Sequence, residues 1–155
     1  MNIQLRPYHP KDKEEVLELI RQSTPQFFHS SEEADLINYL TDELEDYFVA
    51  LNGTAIIGSG GINYFPAENT ARISWDMVHP DYHGKGIGRS LVQHRFAVIR
   101  AKTNYRNVIV RTSQITFKFY EKMGFDLDKI EKDYWAEGFD LYVMRKEISA
   151  ESSIV

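Results

Sequence analysis

The chain of 155 residues contains no cysteine, which removes disulfides, thiolate metal sites and a cysteine nucleophile from consideration at once. It has no apolar run near the ~18 residues that a membrane-spanning helix requires. The opening stretch MNIQLRPYHPKDKEEVLELI is charged throughout and lacks the continuous apolar segment of a secretory leader. A cytoplasmic protein without a membrane partner is expected.

Two further absences are regional. Between Gln22 and Ala71 there is no Lys or Arg, while Glu32, Glu33, Asp35, Asp42, Glu43, Glu45, Asp46 and Glu68 supply acid. Between Tyr82 and Tyr120 there is no Asp or Glu, while Lys85, Arg89, Arg95, Arg100, Lys102, Arg106, Arg111 and Lys118 supply base. The net charge of -5 conceals this segregation. One block should attract cations and the other anions, as in a protein with two ligands of opposite charge; ordinary solvated helix faces are the plain alternative. Nucleic acid is not an expected partner, because the total is acidic and the basic stretch lacks an interleaved aromatic array.

With 43% hydrophobic residues, the chain can bury one substantial core and is short for two. A single domain over residues 1–148 is therefore expected, with 149–155, SAESSIV, as a flexible tail. Residues 3 to 8 read as a strand. HPKDKEEVLELIRQS places Val16, Leu17, Leu19 and Ile20 at helical spacing behind Pro10. SSEEADLINYL opens on a serine cap candidate followed by acids suited to a helix N-terminus. DYFVALN and TAIIGSGGINYF flank Asn52-Gly53, a hairpin dipeptide, and ARISWDMVHP follows as a third strand. RSLVQHRFAVIRAK is amphipathic, NVIVRT reads as a short buried strand, and SQITFKFYEKMGF as a helix stopped by Gly124. FDLDKI and FDLYVMRKEI close the chain as strands. Hairpins and a crossover together imply an α/β fold of mixed character, with a mixed twisted sheet of six to seven strands flanked by about four helices.

Between the third strand and the amphipathic helix lies VHPDYHGKGIGRSL, residues 78–91, with Gly84, Gly86 and Gly88. A glycine-rich turn entering a helix exposes backbone N–H groups at the positive end of the helix dipole, and the missing Cβ atoms admit an anion. Lys85 and Arg89 add charge there. No Walker string GxxxxGK[ST] occurs, and a dinucleotide GxGxxG would need glycine where Arg89 stands. His79 and His83 are four apart, but Pro80 disrupts helical spacing and no third ligand is evident, so no metal site is expected.

VHPDYHGKGIGRSL, followed by FYEKMGF, resembles the GNAT superfamily of N-acetyltransferases, and the element order resembles that fold over nearly the whole chain. The resemblance implies a single-domain GNAT-like enzyme. Its activity would transfer acetyl from acetyl-coenzyme A to a primary amine by direct attack in a ternary complex, with no metal. A catalytically silent module that keeps the coenzyme site is the alternative. The family signature of Arg or Gln, two residues, then Gly-x-Gly is met by Gly86-Ile87-Gly88, with His83 departing at the first position and Gly84 and Lys85 in the variable places. Coenzyme contacts are thereby implied for His83, Gly84, Lys85, Gly86, Ile87, Gly88 and Arg89. The resemblance implies backbone contacts from Met77 and Val78, and puts Ser113 where asparagine is usual.

Tyr120 occupies the family's tyrosine position and is implied as general acid; an ordinary phenol, with a pKa of about 10, keeps its proton at neutral pH. Asp76 lies in a strand, where aspartate is disfavoured. It would take a proton from the acceptor or orient its ammonium group, unless it only pairs with a neighbouring base. His79, Glu32 and Glu33 are further base candidates. In the family the acidic region shapes the acceptor pocket, so Glu32, Glu33 and Trp75 are acceptor-side candidates for a cationic small molecule or peptide amine. Phe27, Phe28, Tyr64 and Phe65 could join Trp75 in an apolar wall. A monomer and a homodimer are equally compatible with the sequence.

Overall fold

The computed structural model describes residues 1–148, and the tail expected at 149–155 lies outside the described residues. In chain order the elements are β1 (Ile3–Pro7), α1 (Lys13–Gln22), α2 (Glu32–Asn38), β2 (Asp46–Asn52), β3 (Ala55–Phe65), β4 (Thr70–Val78), α3 (Ile87–Ala101), β5 (Asn107–Thr112), α4 (Phe117–Lys122), β6 (Asp126–Ala136) and β7 (Phe139–Glu147). The strands form one seven-stranded mixed sheet in the order β1-β2-β3-β4-β5-β7-β6. β1 runs antiparallel to β2, β4 parallel to β5, and β7 antiparallel to both β5 and β6. The parallel pair requires a crossover, and α3 supplies it.

Two compact units divide the chain: Met1–Gly61 with Trp75–Leu91, and Ile62–Ser74 with the chain from Val92 onward. In the first, Val16, Leu17, Leu19 and Ile20 of α1 and Leu36 of α2 are buried against Tyr39, Leu40, Tyr47, Val49, Ile56 and Met77. Val16, Leu17, Leu19 and Ile20 are the apolar positions whose helical spacing predicted α1. The predicted serine cap of α2 is replaced by a different device. Ser31 makes no side-chain cap bond; its hydroxyl meets His29 Nδ1 at 2.9 Å, while the Glu32 carboxylate accepts the His29 N–H at 2.8 Å. In the second unit, Val108 and Val110 of β5 and Leu141 and Met144 of β7 are buried, and the Phe96 ring lies tilted to Phe125 at 5.8 Å. α4 stops at Lys122, and Gly124 takes φ +96°, the left-handed conformation expected just beyond a helix end.

Candidate functional site

The carboxyl end of β4 is built on a backbone irregularity. Trp75 has φ +53°, a left-handed conformation that is an outlier for a bulky residue and accompanies bulged strands. The simple alternation expected from Ser74 to Val78 therefore does not run through Trp75. The Tyr47 hydroxyl donates to the Trp75 carbonyl at 3.1 Å, while Phe28 stacks on the indole at 6.3 Å and Tyr39 lies tilted to it at the same distance. Tyr47 was invisible to the sequence reading because it acts across 28 positions. Beyond the irregularity Met77 buries its side chain in the core, leaving its backbone as the part able to meet a ligand. Asp76 is half-buried.

After β4 the chain is tied down bond by bond. The His79 N–H donates to Ile57 of β3 at 2.8 Å, and His79 Nδ1 accepts the Asp81 N–H at 3.0 Å. The single helical turn Pro80–Tyr82 follows. Asn52 Nδ2 donates to the Tyr82 hydroxyl at 3.1 Å, and Lys85 Nζ lies 5.6 Å from the Tyr82 ring centre. His83 Nε2 donates to the Val78 carbonyl at 2.8 Å, which fixes that nitrogen as the protonated one because a carbonyl only accepts. The His83 ring also stands edge-on to Phe27 at 5.1 Å. Both histidines are thus engaged in loop geometry, and no group of His, Asp or Glu among the described residues could hold a metal ion.

The glycines then perform two kinds of work. Gly84 and Gly86 have φ +76° and +83°, and a Cβ at either would meet nothing within 4 Å. Their need for glycine is conformational, and the space around them is open. The Gly86 carbonyl accepts the Ser90 N–H at 3.0 Å as the first turn of α3 begins, so the N–H groups of Ile87, Gly88 and Arg89 precede the first donor bonded within the helix. That turn contains no acid, and Lys85 and Arg89 are exposed beside it. An anion with several oxygens fits this arrangement of donors and charge.

Gly58 of β3 does the other kind. A Cβ there would stand 3.1 Å from Ile87, 3.2 Å from Leu91 and 3.2 Å from the Met77 carbonyl, so its absence lets the start of α3 lie close against β3. A glycine inside a strand is the sequence signal for such a close approach.

The remaining expected residues fall elsewhere. Glu32 is buried, and its carboxyl is held above the usual range by loss of solvation, partly offset by the bond from His29 N–H. Glu33 is matched by Arg21, which donates from Nε at 3.1 Å and from Nη2 at 3.1 Å. In the second unit the Ser113 hydroxyl accepts the Ile115 N–H at 3.2 Å, a bond within the turn that precedes α4. Tyr120 is buried on α4, edge-on to Phe119 at 5.0 Å and to Phe125 at 5.8 Å. Tyr64 lies at 5.1 Å from Tyr105, and Arg72 stands over Phe65 at 5.1 Å. Those two aromatics therefore belong to the second unit, while Phe27, Phe28 and Trp75 belong to the first.

A strand and a helix joined by such an anion-ready loop define a class that comparison with known proteins names. The model of the Acetyltransferase (GNAT) family matches residues 13–125, and the chain belongs to that family. Among curated proteins, a glucosamine 6-phosphate N-acetyltransferase of Trypanosoma brucei brucei is 39% identical over 49 residues, covering 32% of this chain and a third of that protein's length. The ribosomal-protein-S18-alanine N-acetyltransferase of Escherichia coli has the same fold, with a TM-score of 0.79 and 17% identity over 99% of each chain. So does the PaiA N-acetyltransferase of Thermoplasma acidophilum, solved with coenzyme A, at a TM-score of 0.75 and 17% identity, with 96% of this chain and all of that one covered.

Proposed function

We propose that this protein is an acetyl-coenzyme A dependent N-acetyltransferase acting on the primary amine of a cationic small molecule or peptide, as a single catalytic domain over residues 1–148. The observation that carries the reading is the pair of open, left-handed glycines, Gly84 and Gly86, at the mouth of a basic helix start in a chain of this family. Acetyl-coenzyme A supplies an activated acetyl group as a thioester, transferred by direct attack in a ternary complex. Gly84 to Arg89 would hold the diphosphate through backbone N–H groups, with Lys85 and Arg89 balancing its charge.

Each remaining role is assigned to a group this chain possesses. The Met77 and Val78 backbone would hold the acyl carbonyl, and the His83 bond to Val78 would keep that backbone in position. Ser113 accepts a bond from Ile115 yet retains its own O–H for donation to the coenzyme arm. Tyr120 would hold the proton that neutralises the departing thiolate, an assignment resting on the FYEKMGF motif. Asp76 would accept the proton of the incoming ammonium group or orient it. Trp75, Glu32 and Glu33 would lie on the acceptor side, as the resemblance implies for this region.

The test is a melting curve with acetyl-coenzyme A, with ATP and NADH as anionic controls. At a hundredfold excess over Kd the stabilisation expected is about 2.7 kcal/mol, or a Tm rise of roughly 5 to 10 °C. A selective rise, followed by thiol release with cationic amines and its loss in Tyr120→Phe with the Tm rise retained, supports the reading. An equal rise with ATP removes the coenzyme assignment. A selective rise with no thiol release from any amine leaves a binding module in place of an enzyme.

A further inference from the structure

The strand order ends at β6, so among the described residues one edge of this strand faces no other strand. Among the described residues the exposed large hydrophobic side chains are Met1, Ile115, Leu127, Ile130 and Tyr134, and three of these five stand on β6. β6 is also 11 residues long and free of proline. Exposed edges of that length are normally protected against pairing by charges, shortness or bulges. Irregularities do occur between Leu127 and Lys129 and between Glu131 and Ala136, but Lys129, Ile130 and Glu131 pair in unbroken register with Val143, Tyr142 and Leu141.

The charges on that regular stretch and immediately beside it do not repel an approaching copy of themselves. They read Asp128, Lys129, Ile130, Glu131, Lys132, with opposite signs at equal distances on either side of Ile130. In an antiparallel pairing about a two-fold axis through Ile130, Lys129 faces Glu131 of the second copy, and Glu131 faces its Lys129. Asp128 and Lys132 extend the pattern in sequence only, because they lie at the two irregularities, and Asp128 also lies 3.9 Å from Arg145 Nε. Moving the axis to Lys129 sets lysine against lysine, and moving it to Glu131 sets glutamate against glutamate. A parallel pairing in register opposes like charges at every position. One register of one orientation is favoured, and a two-fold contact closes on itself.

We propose that β6 is the docking edge for β6 of a second copy of this chain, forming a two-fold dimer with Ile130 facing Ile130 at its centre. The contact is short compared with a standard interface, so the dimer should dissociate in the micromolar range.

Sedimentation equilibrium over a concentration series, on the full chain, tests this with paired charge reversals. The wild type should show a reversible monomer–dimer equilibrium. Glu131→Lys and Lys129→Glu should each weaken it by about tenfold or more, because each turns both symmetry-related pairs from attraction to repulsion. An equimolar mixture of the two variants should dimerise again, as should the double variant K129E/E131K. Recovery in the mixture cannot arise from a folding defect, since neither variant is altered by mixing. A wild type that stays monomeric throughout, single variants that dimerise like wild type, or a mixture that stays monomeric would each overturn the proposal.

Discussion

Gly84, Gly86 and Gly58 lie within thirty residues of one another and need to be glycine for opposite reasons. The first two stand in open space and are held at positive φ, whereas Gly58 is crowded and has an ordinary backbone. Gly86→Ala is therefore expected to cost about 1–2 kcal/mol of stability through backbone strain alone, with no clash to relieve. Urea denaturation measures that cost, and the Tm rise with acetyl-coenzyme A should shrink in the same variant because the loop no longer presents its N–H groups. An unchanged Tm rise would mean that the loop does not hold the coenzyme. The glycine spacing and the flanking Lys85 and Arg89 were legible in the sequence because the constraint on them is local. The partners of Glu32 and Glu33 were not. Charge counting treats both acids as free, but Glu33 is spent on Arg21 and Glu32 is buried, so neither contributes a simple surface charge.

β4 is the element that departs most from its sequence pattern. ARISWDMV reads as an ordinary strand, and alternation would group Ser74, Asp76 and Val78 on one face. The left-handed Trp75 interrupts that grouping, and a strained backbone persists only where its surroundings hold it. Tyr47 provides one such restraint through the Trp75 carbonyl and also contacts Ser59 at 3.0 Å. Tyr47→Phe keeps the ring and deletes both bonds, leaving a carbonyl in a buried setting without this donor. The expected loss is about 1–3 kcal/mol in urea denaturation. A loss below about 0.5 kcal/mol would show that the backbone holds its shape without the hydroxyl. Helices α1 and α2 were readable in advance because their apolar faces follow the helical repeat. β6 extends beyond the expected FDLDKI to Ala136, since pairing with β7 resumes at Ala136 opposite Phe139 after an irregularity that begins at Glu131.

For the molecule as a whole, two buried carboxylates set opposing trends of stability with pH. Asp12 lies below its ordinary pKa because Arg6 donates two bonds to it, at 2.8 and 3.0 Å. Its contribution is present above the unfolded value of about 3.9 and is lost as pH falls through the lowered folded value. Glu32 lies above its ordinary pKa because burial disfavours the charged form. Its contribution is present below the unfolded value of about 4.3 and is lost as pH rises through the raised folded value. Glu32→Gln keeps an acceptor for His29 N–H without ever ionising. The variant should melt higher than wild type at pH 7, and this advantage should fade as pH approaches about 4. A Tm difference that is the same at both pH values would show that ionisation of Glu32 is not linked to folding.

The order of strands and helices, the crossover, the phosphate-ready loop and the family motif were determined by the sequence itself. Each depends on periodicity, turn chemistry or spacing within a few residues, and such constraints are written along the chain. Tertiary structure alone decided the left-handed turn at Trp75, the Tyr47 bond that holds it, the close approach allowed by Gly58, the pairing of Glu33 and the burial of Glu32. The β6 edge joins the two kinds, because its charges were always readable but their self-complementarity acquires meaning only once the strand is known to end the sheet. The physical reason is common to all of these. Bond partners far apart in sequence are chosen by packing, and packing is settled only when the whole chain is folded.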